Sequence, residues 1–347
     1  MKRTLSLVLV LVMAIGLLAG CNQENPAPDP VPQPETPVIS KIGLGHSLSL
    51  DRSTDATETR AASTEAYVIF GAAGFDNEGT ILSASIDIVQ SEIKFDQDLQ
   101  LTTELSQEVP SKKDLGFDYG MKVASSIDKE WFEQIAAFED WLLGQKVNEI
   151  GDLPRDDEGY PSEEADIVAS VTMSVDDYIK VIEQAWENAV EVEAAAKVGL
   201  GIKGDSTSSR AYSNEGRELL PIAQTDVTAV AVAFNSEGKI AGAFLDVSQV
   251  VIELDAQGAI TNRDEVLKTK QELKEDYGMK KASSIDKEWY EQANALTAYA
   301  VGKTVEELNS LEVDGDGYPT DSDIVASVTM GIKTYLDVFN EAYQLAK

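Results

Sequence analysis

The chain of 347 residues has one cysteine, Cys21, and one histidine, His46. A lone cysteine excludes an internal disulfide, and the two together leave little material for zinc, copper, haem or iron–sulfur ligation. His46 also lies outside every repeated motif, which argues against a Ser-His-Asp or Cys-His hydrolase. Basic residues are scarce: 28 Lys and Arg stand against 61 Asp and Glu, a formal net charge of −33. Such a chain is repelled by nucleic acid and by anionic lipid surfaces, and its acidity reads as solvated extracytoplasmic surface. No apolar run beyond residue 20 is long enough to span a bilayer.

The N-terminal segment has a charged start, Lys2 and Arg3, and an apolar run from Leu5 to Leu18 that is short for a membrane span. Residues 1–20 read as an export signal. Leu18-Ala19-Gly20-Cys21 resembles the lipobox of bacterial lipoproteins, which implies cleavage before Cys21 and lipidation of that residue. Residues 21–40 then form a tether rich in proline (Pro26, Pro28, Pro30, Pro32, Pro34 and Pro37) that would hold the folded part off the membrane. The expected location is lipid-anchored, facing outside the cytoplasm.

The chain repeats itself. Asp118-Tyr119-Gly120-Met121-Lys122 and the ASSIDKEW run from Ala124 to Trp131 return at Asp276–Lys280 and Ala282–Trp289. DIVASVTM at Asp166–Met173 returns at Asp323–Met330. The offsets, 278 − 120 = 158 and 323 − 166 = 157, differ by one residue. Because Lys41–Gly45 matches Lys197–Gly201, the copies are placed at 41–196 and 197–347, each of ordinary domain size.

In each copy, apolar and β-branched runs flank a Gly-containing turn: Tyr67–Phe75 and Ile81–Phe95 in the first, Thr228–Phe234 and Ile240–Leu254 in the second. Both read as antiparallel hairpins. A helix follows, with capping-box spacing at Ser125 and Asp128 and an apolar stripe through Trp131, Ile135 and Phe138 until Gly144. After an acidic loop, DIVASVTM reads as a short extended segment before a closing helix through Ile179 and Ile182, or Leu336 and Phe339. The fold class expected is α+β: two tandem homologous domains, each an antiparallel sheet with helices packed on it. Strand and helix do not alternate as in a doubly wound fold, and no Gly-rich phosphate loop follows the first strand. Glu312 to Asp323 has acids at positions 1, 3, 5 and 12 and glycine at 6 of a calcium-loop pattern, but the first copy breaks it with Pro154 and Ala165, so a solvated acidic turn is the reading preferred.

With this layout, DIVASVTM resembles the D-x-x-S-G-A-T-like signature of the FMN-binding domain family of exported bacterial electron-transfer proteins. In that family the last threonine or serine takes FMN through a phosphoester bond made by a flavin transferase. The resemblance implies aspartate positions at Asp166 and Asp323 and attachment threonines at Thr172 and Thr329. Where the family has Ser-Gly-Ala, this chain has Ala169-Ser170-Val171 and Ala326-Ser327-Val328. A threonine just before a helix N-terminus would present a phosphate to free N–H groups. Tyr119 and Tyr277, with Trp131, Trp289, Tyr160 and Tyr318, would cover an isoalloxazine ring, and Lys122 and Lys280 would add positive charge; the tryptophans also read as core on their helix stripe.

Two functions follow as expectations. One is a membrane-anchored flavoprotein that passes electrons, with a membrane redox complex or flavin transferase as partner. The other is a non-catalytic surface lipoprotein that binds a partner or ligand and has kept the fold without the cofactor. No metal site and no catalytic acid–base or nucleophile set is expected.

Overall fold

The structure, a computed structural model, describes residues 38–347. The export signal, Cys21 and the tether up to residue 37 lie outside the described residues.

Each repeat opens with three long antiparallel strands: β1 (Ile39–Ser49), β2 (Ser63–Phe75) and β3 (Ile81–Lys94) in the first, β5 (Lys197–Asp205), β6 (Ile222–Phe234) and β7 (Ile240–Glu253) in the second. β1 therefore begins two residues before the expected domain start. The hairpin turns form where expected, because one side-chain oxygen organises each. Asp76 Oδ1 accepts from the Glu78 and Thr80 N–H groups, and Asn235 Oδ1 accepts from those of Glu237 and Lys239. A further strand, β4 (Val190–Ala195), pairs antiparallel with β1 and gives the first sheet the order β3-β2-β1-β4. Lys347 takes the corresponding place in the second repeat, exchanging two backbone hydrogen bonds with Val198.

Successive side chains of a strand point to opposite faces, and here both faces are covered. Along β2, Val68, Phe70 and Ala72 enter a central core, while Ile69, Ala73 and Phe75 enter an outer one. Along β6, Val227, Ala229, Ala231 and Ala233 enter the same central core, while Val230, Val232 and Phe234 face outward. The two sheets thus pack face to face on a core they share. On the outer faces lie α2 (Trp131–Leu142) and α3 (Asp176–Glu187) in the first repeat, α5 (Trp289–Ala300) and α7 (Lys333–Leu345) in the second. The layers run helix, sheet, sheet, helix, and each repeat has its own outer core. This is the α+β architecture expected from the order of the elements.

The repeated Gly-Leu-Gly has a packing cause. Leu44 and Leu200 point into the shared core, and the flanking glycines face the closing helices. A Cβ on Gly43 would stand 1.7 Å from the Ala185 carbonyl oxygen, and one on Gly199 would stand 1.8 Å from that of Ala342. Only glycine lets α3 and α7 lie this close to β1 and β5.

Two local expectations are corrected. DIVASVTM is not extended: Ser170 N–H and Val171 N–H both donate to the Ile167 carbonyl, so the segment is a tight helical turn that buries Ile167 and Val171. The first long helix begins at Trp131 rather than after Ser125, and its start is closed by a capping box in which Glu133 Oε2 accepts from Glu130 N–H at 2.9 Å. Asp128, in the left-handed region at φ 56, keeps the preceding turn out of the helix.

Candidate functional site

The shared site-forming device is a buried lysine. In the first repeat Ser111 caps a single helical turn, α1 (Lys112–Leu115); in the second Thr269 caps α4 (Lys270–Leu273). A buried aspartate on the neighbouring strand pins each turn. Asp87 accepts from Ser111 Oγ at 2.7 Å and from Lys113 N–H at 3.1 Å, and Asp246 accepts from Gln271 N–H at 3.1 Å. The turn then projects Lys112 or Lys270 among aromatic rings. Lys112 Nζ lies 4.5 Å from the centre of Tyr119 and 5.5 Å from that of Trp131; Lys270 Nζ lies 4.6 Å from Tyr277 and 5.5 Å from Trp289. Gly120 and Gly278, both left-handed, turn the chain directly after these tyrosines. Each tryptophan donates to the next ring: Trp131 Nε1 to Tyr178 Oη and Trp289 Nε1 to Tyr335 Oη, both at 3.0 Å.

Burial pushes the Asp87 and Asp246 carboxyls up to about 6. Both lie above the ordinary aspartate value, so the folded chain still holds protons that the unfolded chain has released between pH ~4 and ~6. Stability is therefore expected to fall as pH rises through that window, by up to about 1.4 kcal/mol per pH unit for each group. Lys112, pushed down to about 7 by burial, adds stability with rising pH only above pH ~7. Urea unfolding across pH checks this: the midpoint should be higher near pH ~5 than near pH ~7.

The copies part company at one position beside the lysine. In the register that matches Phe75 to Phe234 (234 − 75 = 159), Tyr67 corresponds to Asp226 (226 − 67 = 159). In the first repeat the Tyr67 phenol accepts from Lys112 Nζ at 3.0 Å, its ring lies 4.7 Å from that nitrogen, and the site is filled. In the second repeat the shorter Asp226 leaves the space open. Its carboxylate accepts from Gln224 Nε2 at 2.8 Å and Gln249 Nε2 at 3.3 Å, and burial raises its pKa. Lys270 is 9% exposed, and among the described residues its ammonium has neither a hydrogen-bond acceptor nor an ion-pair partner.

The result is a cleft of about 600 Å³ whose lining includes Asp226, Lys270 and Tyr335. Its walls come from the end of β5, the middle of β6, the start of α7, and the first repeat's Ser106–Glu108 segment, so both repeats build it. Three lysines line it, Lys203, Lys270 and Lys333, with five carboxylates. Lys203 is paired with Glu108 and Asp337. An adjoining groove holds Glu341, whose carboxyl burial pushes up to about 7.

The residues singled out from the repeated motifs fall elsewhere. Thr172 sits against α2: Gln134 Oε1 accepts from its N–H at 2.8 Å and from its hydroxyl at 3.2 Å. Thr329 makes the same pair of bonds to Gln292 at 2.7 and 3.3 Å. Both hydroxyls are thus engaged, and each threonine precedes its helix by four residues (176 − 172 and 333 − 329). Val171 and Val328, which stand at the alanine position of the flavin signature, are fully buried. These residues do not form a cradle for a covalently held phosphate. Asp166 and Asp323 are exposed and Ser170 and Ser327 half-buried. Lys122 and Lys280 are surface residues 3.5 and 3.8 Å from Asp128 and Asp286. Of the set, Tyr119 and Tyr277, with Trp131 and Trp289, reach the buried lysines.

The acidic loop behaves as a turn: Asp314 Oδ1 accepts from the Asp316 and Tyr318 N–H groups, as Asp156 does from Glu158 and Tyr160. No group of three metal-ligating side chains occurs among the described residues, and no helix there is long and apolar enough to cross a membrane. Lys112, Lys270, Asp226 and the two glutamines were not singled out in the sequence. The signal that finds the cleft is divergence between the copies at a strand position next to a shared lysine. No protein-family model matches the chain, and neither the curated proteins nor the solved structures compared with it give a match.

Proposed function

We propose that the chain is an exported, lipid-anchored binding protein whose second repeat holds a small charged ligand, while the first repeat is a sealed copy of the same scaffold. The observation that carries this is the exchange of Tyr67 for Asp226. Burying an ammonium without an acceptor costs stability, and in the first copy the Tyr67 oxygen supplies an acceptor. A second copy that leaves Lys270 unsatisfied beside an open polar cleft has the economy of a binding site. Anchoring through Cys21 is the location consistent with the Leu18-Ala19-Gly20-Cys21 motif.

The full chain purified under native conditions from its own host, then extracted with organic solvent, tests the reading. A stoichiometric small molecule is expected from the wild type and none from Asp226→Tyr, which refills the space as in the first repeat. Equal extracts from both chains would overturn it. Intact mass on the same sample tests the flavin reading that the repeated threonine motif suggests: an FMN-sized increment on Thr172 or Thr329 would replace this proposal with a flavoprotein.

A further inference from the structure

The sealed first repeat shows what the open second one is missing. There the Tyr67 oxygen accepts a hydrogen bond from Lys112 Nζ at 3.0 Å, with the Tyr178 hydroxyl beside it. In the second repeat the equivalent donors remain and the oxygen is gone. Lys270 Nζ faces the rings of Tyr277 and Trp289, and the Tyr335 hydroxyl accepts from Trp289 Nε1 while no acceptor is present for its own proton among the described residues. Tyr335 is 9% exposed, as Lys270 is, and both line the cleft. A ligand oxygen in the vacated place would satisfy both.

The charge of the lining narrows the ligand further. A simple anion placed on Lys270 would meet five carboxylates against three lysines. One of those carboxylates, Asp226, takes the very place of the missing phenol and accepts from two amides only, so it has lone pairs to spare for a cation. Among the described residues no ion pair joins Asp226 to Lys270, yet both line the cleft and the Lys270 charge acts on the Asp226 carboxyl. A molecule that carries an anionic and a cationic group on one carbon offers a partner to each.

Resting on the cleft reading above, we infer that the ligand is a free α-amino acid. Its carboxylate accepts from Lys270 Nζ and the Tyr335 hydroxyl, and its ammonium donates to Asp226. The side chain is directed to the mouth of the cleft between the Ser106–Glu108 segment and the start of α7. Recognition through both charged groups excludes the corresponding simple acid and simple amine, because each leaves one buried charge of the site unmatched.

Melting curves of the full chain with each common α-amino acid, its des-amino carboxylate and its decarboxylated amine test the inference. At least one amino acid should raise the melting temperature in a dose-dependent way, with its acid and amine analogues at least tenfold weaker. Lys270→Met and Asp226→Asn should each weaken that amino acid at least tenfold, and Tyr335→Phe severalfold, with near-ultraviolet circular dichroism confirming that each variant is folded. An amino-acid shift that survives Lys270→Met and Asp226→Asn overturns the assignment of the site. If no amino acid acts but a co-purified molecule is lost in Asp226→Tyr, the ligand class is wrong and the cleft stands. If no amino acid acts and nothing is co-purified, both fall.

Discussion

Gly43→Ala and Gly199→Ala are each expected to destabilise the chain by about 3 kcal/mol or more. The added methyl group would stand 1.7 Å from the Ala185 carbonyl oxygen in one case and 1.8 Å from that of Ala342 in the other. The obstacle is helix backbone, which has no rotamer to escape into, so α3 or α7 must lift off its sheet. Lifting opens the outer core between helix and sheet, where Ile182 and Val181 or Val338 and Phe339 are fully buried. Thermal melting of the two single variants measures the effect, expected as a drop of roughly 6–12 °C. Gly144→Ala is a useful contrast: no atom lies near its added carbon, although its left-handed φ of 84 carries a backbone cost of its own. A loss at Gly43 or Gly199 no greater than at Gly144 would contradict the close-packing account.

Gln134→Leu, and its counterpart Gln292→Leu, should cost about 3 kcal/mol each. Leucine has a similar volume, so the loss reports hydrogen bonding rather than a cavity. Gln134 is fully buried; its Oε1 accepts from the Thr172 N–H and hydroxyl, and its Nε2 donates to Ser125 Oγ at 3.0 Å and to the Lys129 carbonyl at 3.3 Å. One amide thus ties the DIVASVTM turn to the ASSIDKEW loop, and Gln292 does the same in the second repeat. The chain's two longest identical stretches are therefore the two sides of a structural clamp. Urea unfolding of the single variants tests this, and a change below about 0.5 kcal/mol would be that of an ordinary surface substitution.

The long hairpins were legible because alternation, β-branching and an Asp- or Asn-led turn all point the same way in Ser63–Lys94 and Ile222–Glu253. β4 was not: Val190-Glu191-Val192-Glu193 directly follows α3, and its partner β1 lies about 150 residues earlier in sequence, beyond the reach of any local pattern. DIVASVTM was misread because Ile and Val suggest a strand, whereas here Ile167 and Val171 reach the core from one turn. The packing of the two sheets on each other was also invisible, since a strand covered on both faces does not say what covers each.

The candidate site was missed for a related reason. Recurrence between copies marks what the scaffold needs: the left-handed glycine after Tyr119, the Ser125 loop, the glutamine clamp. A function held by only one copy shows instead as a difference, and the telling difference is a single residue in the middle of β2 and β6. Aligning those strands and asking where a large aromatic becomes a carboxylate beside a shared lysine would have found Asp226.

The unfolding free energy of Asp226→Tyr, measured in urea without ligand, is the most direct test that the second repeat is an opened version of the first. The account predicts a gain of about 1 kcal/mol, because the phenol oxygen gives Lys270 the acceptor that Lys112 already has. A loss of stability, or no change, would contradict it.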